Sequence, residues 1–173
     1  MFAVKNKVFL PFVLIVFVLS LDLFSKAFIH QNITPMEMAQ PIYPYGGIGV
    51  FENALGIEFS ITHAKNKGAA WGIFSDWQQV LSLLRIILVT GLVIYLIAFN
   101  QNHKWRFPLA LIIAGATGNI VDTYLYGHVV DMFHFVLWGY DYPIFNVADC
   151  SIFLGVSWIL LNSFLEKSRT CPR

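Results

Sequence analysis

The chain has 173 residues, 57% of them hydrophobic and only 12% charged, with 16 phenylalanines. Ordinary soluble domains carry roughly a quarter charged residues, so this composition excludes a soluble enzyme and indicates one compact membrane domain, 1–173. A net charge of +1 gives no electrostatic footprint for nucleic acid. Cys150 and Cys171 are far apart, with neither a disulfide framework nor a metal-ligand spacing.

Lys5 and Lys7 precede an apolar run, and the first span is read over 8–26. A signal peptide shares that basic head. Here, however, the run ends in Asp22-x-x-x-Lys26 rather than in a small-residue cleavage site. The seventeen residues of the apolar run, 8–24, cover about 26 Å as a helix, so a retained helix is expected, with Pro11 tolerated near its start. Asp22 and Lys26, four apart, share a helix face. Either they end the helix with Lys26 snorkelling to the interface, or they brace a site.

Residues 30–79 form the longest stretch outside the spans, and Pro, Gly and Tyr make its first part turn-prone. IEFSITHA alternates weakly and favours a strand. NKGAAWGIF, 66–74, combines small residues with Trp71 and Phe74. A small sheet with a short surface-lying helical piece is expected. The second span is read over 80–99, with Arg85 near its start, able either to snorkel or to reach acids inside the bundle. The third and fourth are read over 107–123 and 145–165, joined by a short outer link. The fold class is therefore mainly α, a polytopic membrane protein of four transmembrane helices with a small extracytoplasmic β-containing subregion.

Four spans put both termini on one side, together with Lys5, Lys7, Lys104, Arg106, Lys167, Arg169 and Arg173, seven of the eleven basic residues. The positive-inside rule places that side in the cytoplasm. Asp22, Asp131 and Asp149 then all approach the outer side. Asp131 and Asp149 sit among strongly apolar neighbours, where a carboxylate is costly unless it faces water, a partner or a substrate. Two adjacent carboxylates share a proton, so one can activate water while the other protonates a leaving amine. His103 is cytoplasmic, and His63, His128 and His134 have no metal-site spacing with Cys or a second His. Ser151 has no neighbouring base in an ordered motif. The same acids could instead carry protons in a small transporter, or form a structural cluster satisfied by Asn119 and Asn146. Each of these asparagines stands three residues before an Asp, Asn119 before Asp122 and Asn146 before Asp149, on the same face if helical. Each could equally cap a helix end. Gly118 and Gly127 permit close approach or a sharp turn.

LDLFSK at 21–26, NKGAAWGIF at 66–74, GNIVD at 118–122, GHVVDMF at 127–133 and FNVAD at 145–149 together resemble the lipoprotein signal peptidase family, signal peptidase II. Order, spacing and the four-span layout agree over nearly the whole chain. The resemblance implies an aspartic endopeptidase with Asp131 and Asp149 as its catalytic pair. Such an enzyme removes signal peptides from diacylglyceryl-modified prolipoproteins, cutting before the lipidated cysteine at the outer face of the bacterial inner membrane. It also implies that Asn66 and Asn146 contact substrate, that Gly68, Asn119, Asp122, Asp22 and Lys26 support the site, that no cofactor is needed, and that globomycin acts as a substrate mimic. Two positions depart from the family pattern. Thr123 stands where an Arg follows GNxxD, and Met132 replaces an aromatic after VVD.

Overall fold

The computed structural model describes residues 2–68 and 77–170, and their side chains over 9–68 and 77–166. Helix α1 spans Phe2–Asn32. Strands β1, Ile48–Ala54, and β2, Ile57–Asn66, follow. Helix α2 covers Gln78–Ile94 and continues as a π-helical turn over Tyr95–Phe99. Helix α3 covers Arg106–Tyr126, β3 Val129–Leu137, β4 Tyr140–Asp141, and α4 Val147–Thr170. Among the described residues, four helices are long and apolar enough to cross a membrane, over Phe9–Met38, Gln78–Phe99, His103–Tyr126 and Val147–Glu166. Phe9, Phe17 and Phe24 of α1, Ile87 of α2 and Phe153 and Phe164 of α4 lie exposed on the bundle, as lipid-facing side chains do.

Helix α3 is the central element, packed against α1, α2 and α4. Its contact with α4 is close because both helices lack side-chain bulk there. A methyl group on Gly115 would strike the Ala148 carbonyl, and one on Gly155 would lie 2.6 Å from the Pro108 carbonyl. Small residues let transmembrane helix backbones approach and gain packing where lipid offers no hydrophobic drive. Leu96, Leu109 and Ile113, with Ile15, Val93 and Ile159 around them, fill one end of the bundle with apolar side chains.

The four strands form one antiparallel sheet in the order β1-β2-β3-β4. Two tight hairpins build its outer corners. Leu55–Gly56 joins β1 to β2 and Trp138–Gly139 joins β3 to β4, all four residues at positive φ, as type I′ turns require. The indole of Trp138 donates to the Leu55 carbonyl and ties the two turns together. Ile29 and Ile33 at the end of α1 pack on Val130 and Met132 of β3, which docks the sheet onto the bundle. Phe59 stacks on Phe135, and Phe135 on Phe145, continuing that contact outward.

Two expectations need correction. Helix α1 runs on to Asn32, so Asp22 and Lys26 do not end it, and both are wholly buried rather than snorkelled. The segment after α3 is not a plain link between spans: Val129–Leu137 is a central strand of the sheet, and Asp131 lies on it. The anticipated strand over IEFSITHA is β2. The helical piece anticipated over 66–74, with Trp71 and Phe74, falls largely outside the described residues.

Candidate active site

Asp131 is placed by β3, whose pairing with β2 sets Ala64 opposite Asp131 and Asn66 opposite Val129. Residues diagonal across such a ladder share a face. Asn66 Nδ2 accordingly donates to Asp131 Oδ2 at 3.1 Å. The amide of Asn66 is itself oriented, because its Oδ1 accepts the Gly68 N–H at 2.9 Å. The Gly68 carbonyl in turn accepts Arg85 Nη2 of α2 at 3.0 Å. Arg85 therefore points into the bundle, within electrostatic reach of Asp149 and Asp131, so of its two readings the inward one holds.

Asp149 is placed by the start of α4. Asn146 is the N-cap: its Oδ1 accepts the Asp149 N–H at 2.9 Å, while Asp149 Oδ2 accepts the Asn146 N–H at 3.2 Å. This reciprocal arrangement is a capping box with Asn and Asp in its two positions. It sets a carboxylate on the first turn, where the helix dipole favours negative charge. Phe145, one residue earlier, is clamped to β3. Its carbonyl accepts the N–H groups of Met132 and Phe133, and its own N–H donates to Phe133. That clamp brings FNVAD alongside VVDMF.

The two acids meet at Asn146. Its Nδ2 donates to Asp131 Oδ1 at 2.6 Å and lies 3.2 Å from Asn119 Oδ1. Asn119 Nδ2 donates to Asp149 Oδ1 at 3.0 Å. Asn119 thus serves the acid of the neighbouring helix rather than Asp122 of its own. Asp131 is 2% exposed, whereas Asp149 is half-buried. Burial first, and then the negative charge of Asp149, push the Asp131 carboxyl up from 3.8 to about 7, against the lowering effect of Asn66 and Asn146. Neighbouring carboxylates resist ionising together, which favours the protonated form of the more buried one.

Behind the acids lies a buried ionic cluster. Lys26 Nζ reaches Asp22 Oδ2 at 2.8 Å, Asp122 Oδ2 at 3.1 Å and Asn119 Oδ1 at 2.8 Å. Asp22 also accepts the Ala148 N–H of α4 at 2.8 Å, and Asp122 the Val130 N–H of β3 at 3.0 Å. A methyl group on Gly118 would strike the Asp22 carboxylate, so only glycine fits there. Asp22, Lys26, Asn66, Gly68, Asn119, Asp122, Asp131, Asn146 and Asp149 thus form one hydrogen-bonded assembly drawn from five elements and the residues just beyond them. Reading the chain left the part played by Arg85 open and passed over that of Phe145. Both act through backbone carbonyls, which carry no residue signature. Thr123 Oγ1 donates to the Asn119 carbonyl of its own helix.

A membrane-spanning bundle that gathers two carboxylates, one buried and one half-buried, beside one end defines a multi-pass membrane protein with an enzyme-like centre. The family model described as Signal peptidase (SPase) II matches residues 14–165, and the chain belongs to that family. It is a bacterial membrane peptidase that acts in signal-peptide removal from lipoproteins. A lipoprotein signal peptidase of Haemophilus ducreyi is 36% identical over 157 residues, covering 88% of this chain and 89% of that protein. A solved bacterial membrane enzyme, determined by the in meso method at 2.3 Å, aligns with a TM-score of 0.77 and 32% identity, over 95% of this chain and 93% of the other. A second, determined by the same method at 1.9 Å, gives 0.69 and 33%, over 88% and 90%.

Proposed function

We propose that this peptidase is of the aspartic type, that Asp131 and Asp149 are its catalytic pair, and that it cuts diacylglyceryl-modified prolipoproteins just before the lipidated cysteine. The observation that carries this reading is the single amide of Asn146, which is bonded to Asp131 and caps the turn bearing Asp149. It holds two carboxyl groups in one polar patch amid apolar walls. The half-buried Asp149 carboxylate takes a proton from water as the water oxygen adds to the scissile carbonyl. The protonated Asp131 bonds to the developing oxyanion, and its proton is delivered to the amine as the C–N bond breaks. Asn66 and Asn146 orient Asp131, and Asn119 orients Asp149. Asp22, Lys26 and Asp122 fix the helices behind them, and Gly68 positions Asn66.

The basic residues at both termini and in the 100–106 link support a cytoplasmic placement of that side. The sheet and the acid pair then face the periplasm at the inner membrane surface, with 30–79 extracytoplasmic. The signal helix of the substrate enters laterally and its acyl chains stay in lipid. Globomycin, as a substrate mimic, would occupy the same site. A proton-coupled transporter is the weaker reading, because the far end of the bundle is packed with Leu96, Leu109 and Ile113, where a relay would need polar groups.

The test is a cleavage assay in detergent with a diacylated prolipoprotein and its unlipidated precursor. The expected products are a free signal peptide and a protein that begins with the lipidated cysteine, identified by mass. Equal cleavage of the unlipidated precursor, or a cut elsewhere, would sink the assignment. Globomycin should abolish the product.

Two further outcomes follow from the geometry. The Asp131 carboxyl, raised to about 7 by burial and by Asp149, is the proton donor only while protonated. kcat/KM should therefore fall as pH rises through about 7, tenfold per pH unit well above it. A rate that keeps rising through that range would assign the donor role elsewhere. Arg85→Gln removes the bond to the Gly68 carbonyl that steadies Asn66. It should slow cleavage by about 10- to 100-fold while thermal stability changes little, the size expected when a reacting group is displaced by about 1 Å. Arg85→Lys should retain more activity, since it keeps a charged donor.

A further inference from the structure

We propose that His30, His63 and His128 form a binding site for a divalent transition-metal ion, zinc foremost, at the junction of α1, β2 and β3. His30 lies in the last turn of α1, His63 within β2, and His128 between the end of α3 and the start of β3. One ring nitrogen from each lies within 4.8 Å of the others. Their wide sequence separation hides the cluster from any local spacing rule.

The protonation pattern suits a metal. His63 Nδ1 bonds to the Ile33 carbonyl at 3.0 Å. As donor in that bond it leaves Nε2 as a bare lone pair, and Nε2 is buried without a partner. His128 bonds to the Tyr126 backbone, and its Nε2 is likewise buried and unpartnered. His30 supplies a third such atom, Nδ1. His63 and His128 are 2% and 7% exposed. Buried polar nitrogens are nearly always satisfied in native proteins, yet each of these three neighbouring rings carries one that is not. Backbone groups that fix the far nitrogen, as they do for His63 and His128, are the usual partners of metal-ligating imidazoles. The Tyr126 ring stacks on His30 at 4.2 Å and closes one side.

Chemistry narrows the ligand. Three imidazoles with no carboxylate among them suit zinc, copper, iron or nickel, and disfavour magnesium and calcium. Four-coordinate zinc spaces its nitrogen ligands about 3.3 Å apart, so modest ring rotations would draw the three together and leave a fourth position for water. The ion would join the end of α1 to β2, which carries Asn66 three residues after His63, and to β3, which carries Asp131 three residues after His128. Its role is that of a brace outside the reacting centre.

The test uses the full chain without a polyhistidine tag, stripped with chelator and titrated with Co²⁺, then with Zn²⁺. The expected result is one Co²⁺ per chain with visible ligand-field bands, displaced by one Zn²⁺, and a higher melting temperature in the metal-loaded protein. His30→Gln and His63→Gln should each weaken zinc binding by about tenfold or more, while His103→Gln should leave it unchanged. If His63→Gln fails to fold, the half-buried His30 carries the test. Absence of the cobalt bands and of stoichiometric zinc in the wild type would overturn the proposal, leaving a cluster that holds water alone. Undiminished binding in His30→Gln would overturn it equally.

Discussion

Asp131→Asn and Asp149→Asn are each expected to lower prolipoprotein cleavage by roughly 10²–10⁴-fold, the range lost with a general acid or base. Both should leave the fold in place. Asn at 149 keeps an oxygen that can accept the Asn146 N–H, so the capping box that starts α4 survives. Asn at 131 keeps the size of the side chain between Asn66 and Asn146. The double variant should be no slower than the worse single one, because groups that act as a unit are lost together. Asp149→Ala should add a structural loss of about 1 kcal/mol by removing half the capping box, visible as a lower melting temperature. The checks are gel-shift cleavage of a diacylated substrate together with circular dichroism of each variant. Wild-type rates in both single variants would place the chemistry at other residues.

The four apolar helices and the outlying acids are legible in the chain because hydropathy and the cost of a charge near lipid are local properties. The strand carrying Asp131 had a signal too. VVDMFHFVL is rich in β-branched and aromatic residues and contains neither Gly nor Pro, as strands do. Its position between two spans made it pass for a link. Other features lie beyond any reading along the chain. Asn119 turns from Asp122, three residues on, to Asp149 on the next helix, because the small residues of α3 let α4 approach that closely. The Phe145–Phe133 clamp and the Arg85–Gly68 bond run through backbone atoms, so no residue type announces them. The three histidines converge only once the end of α1 docks on the sheet.

Lys26→Met should be the most destabilising single change in the assembly, at about 3–5 kcal/mol, the cost of leaving buried charge without its partner. An ammonium has three N–H donors, and those of Lys26 face Asp22, Asp122 and Asn119. Lys26, Asp22 and Asp122 are all wholly buried. One cation among two carboxylates leaves an excess negative charge, which backbone donors share: Ala148 N–H at the positive end of the α4 dipole, and Val130 N–H from β3. Removing the ammonium strands both acids and frees Asn119, so the effect should reach Asp149 and reduce cleavage as well. Thermal unfolding in detergent distinguishes lost charge pairing from lost packing. If pairing dominates, Lys26→Met combined with Asp122→Asn should be more stable than Lys26→Met alone, because one stranded charge is gone. If the methylene stem does the stabilising, Lys26→Met would be nearly neutral and the second substitution would only add damage. Lys26→Arg tests the size of the site: gaps of 2.8 to 3.1 Å around one nitrogen leave no room for a planar guanidinium, so preserved charge should not rescue stability.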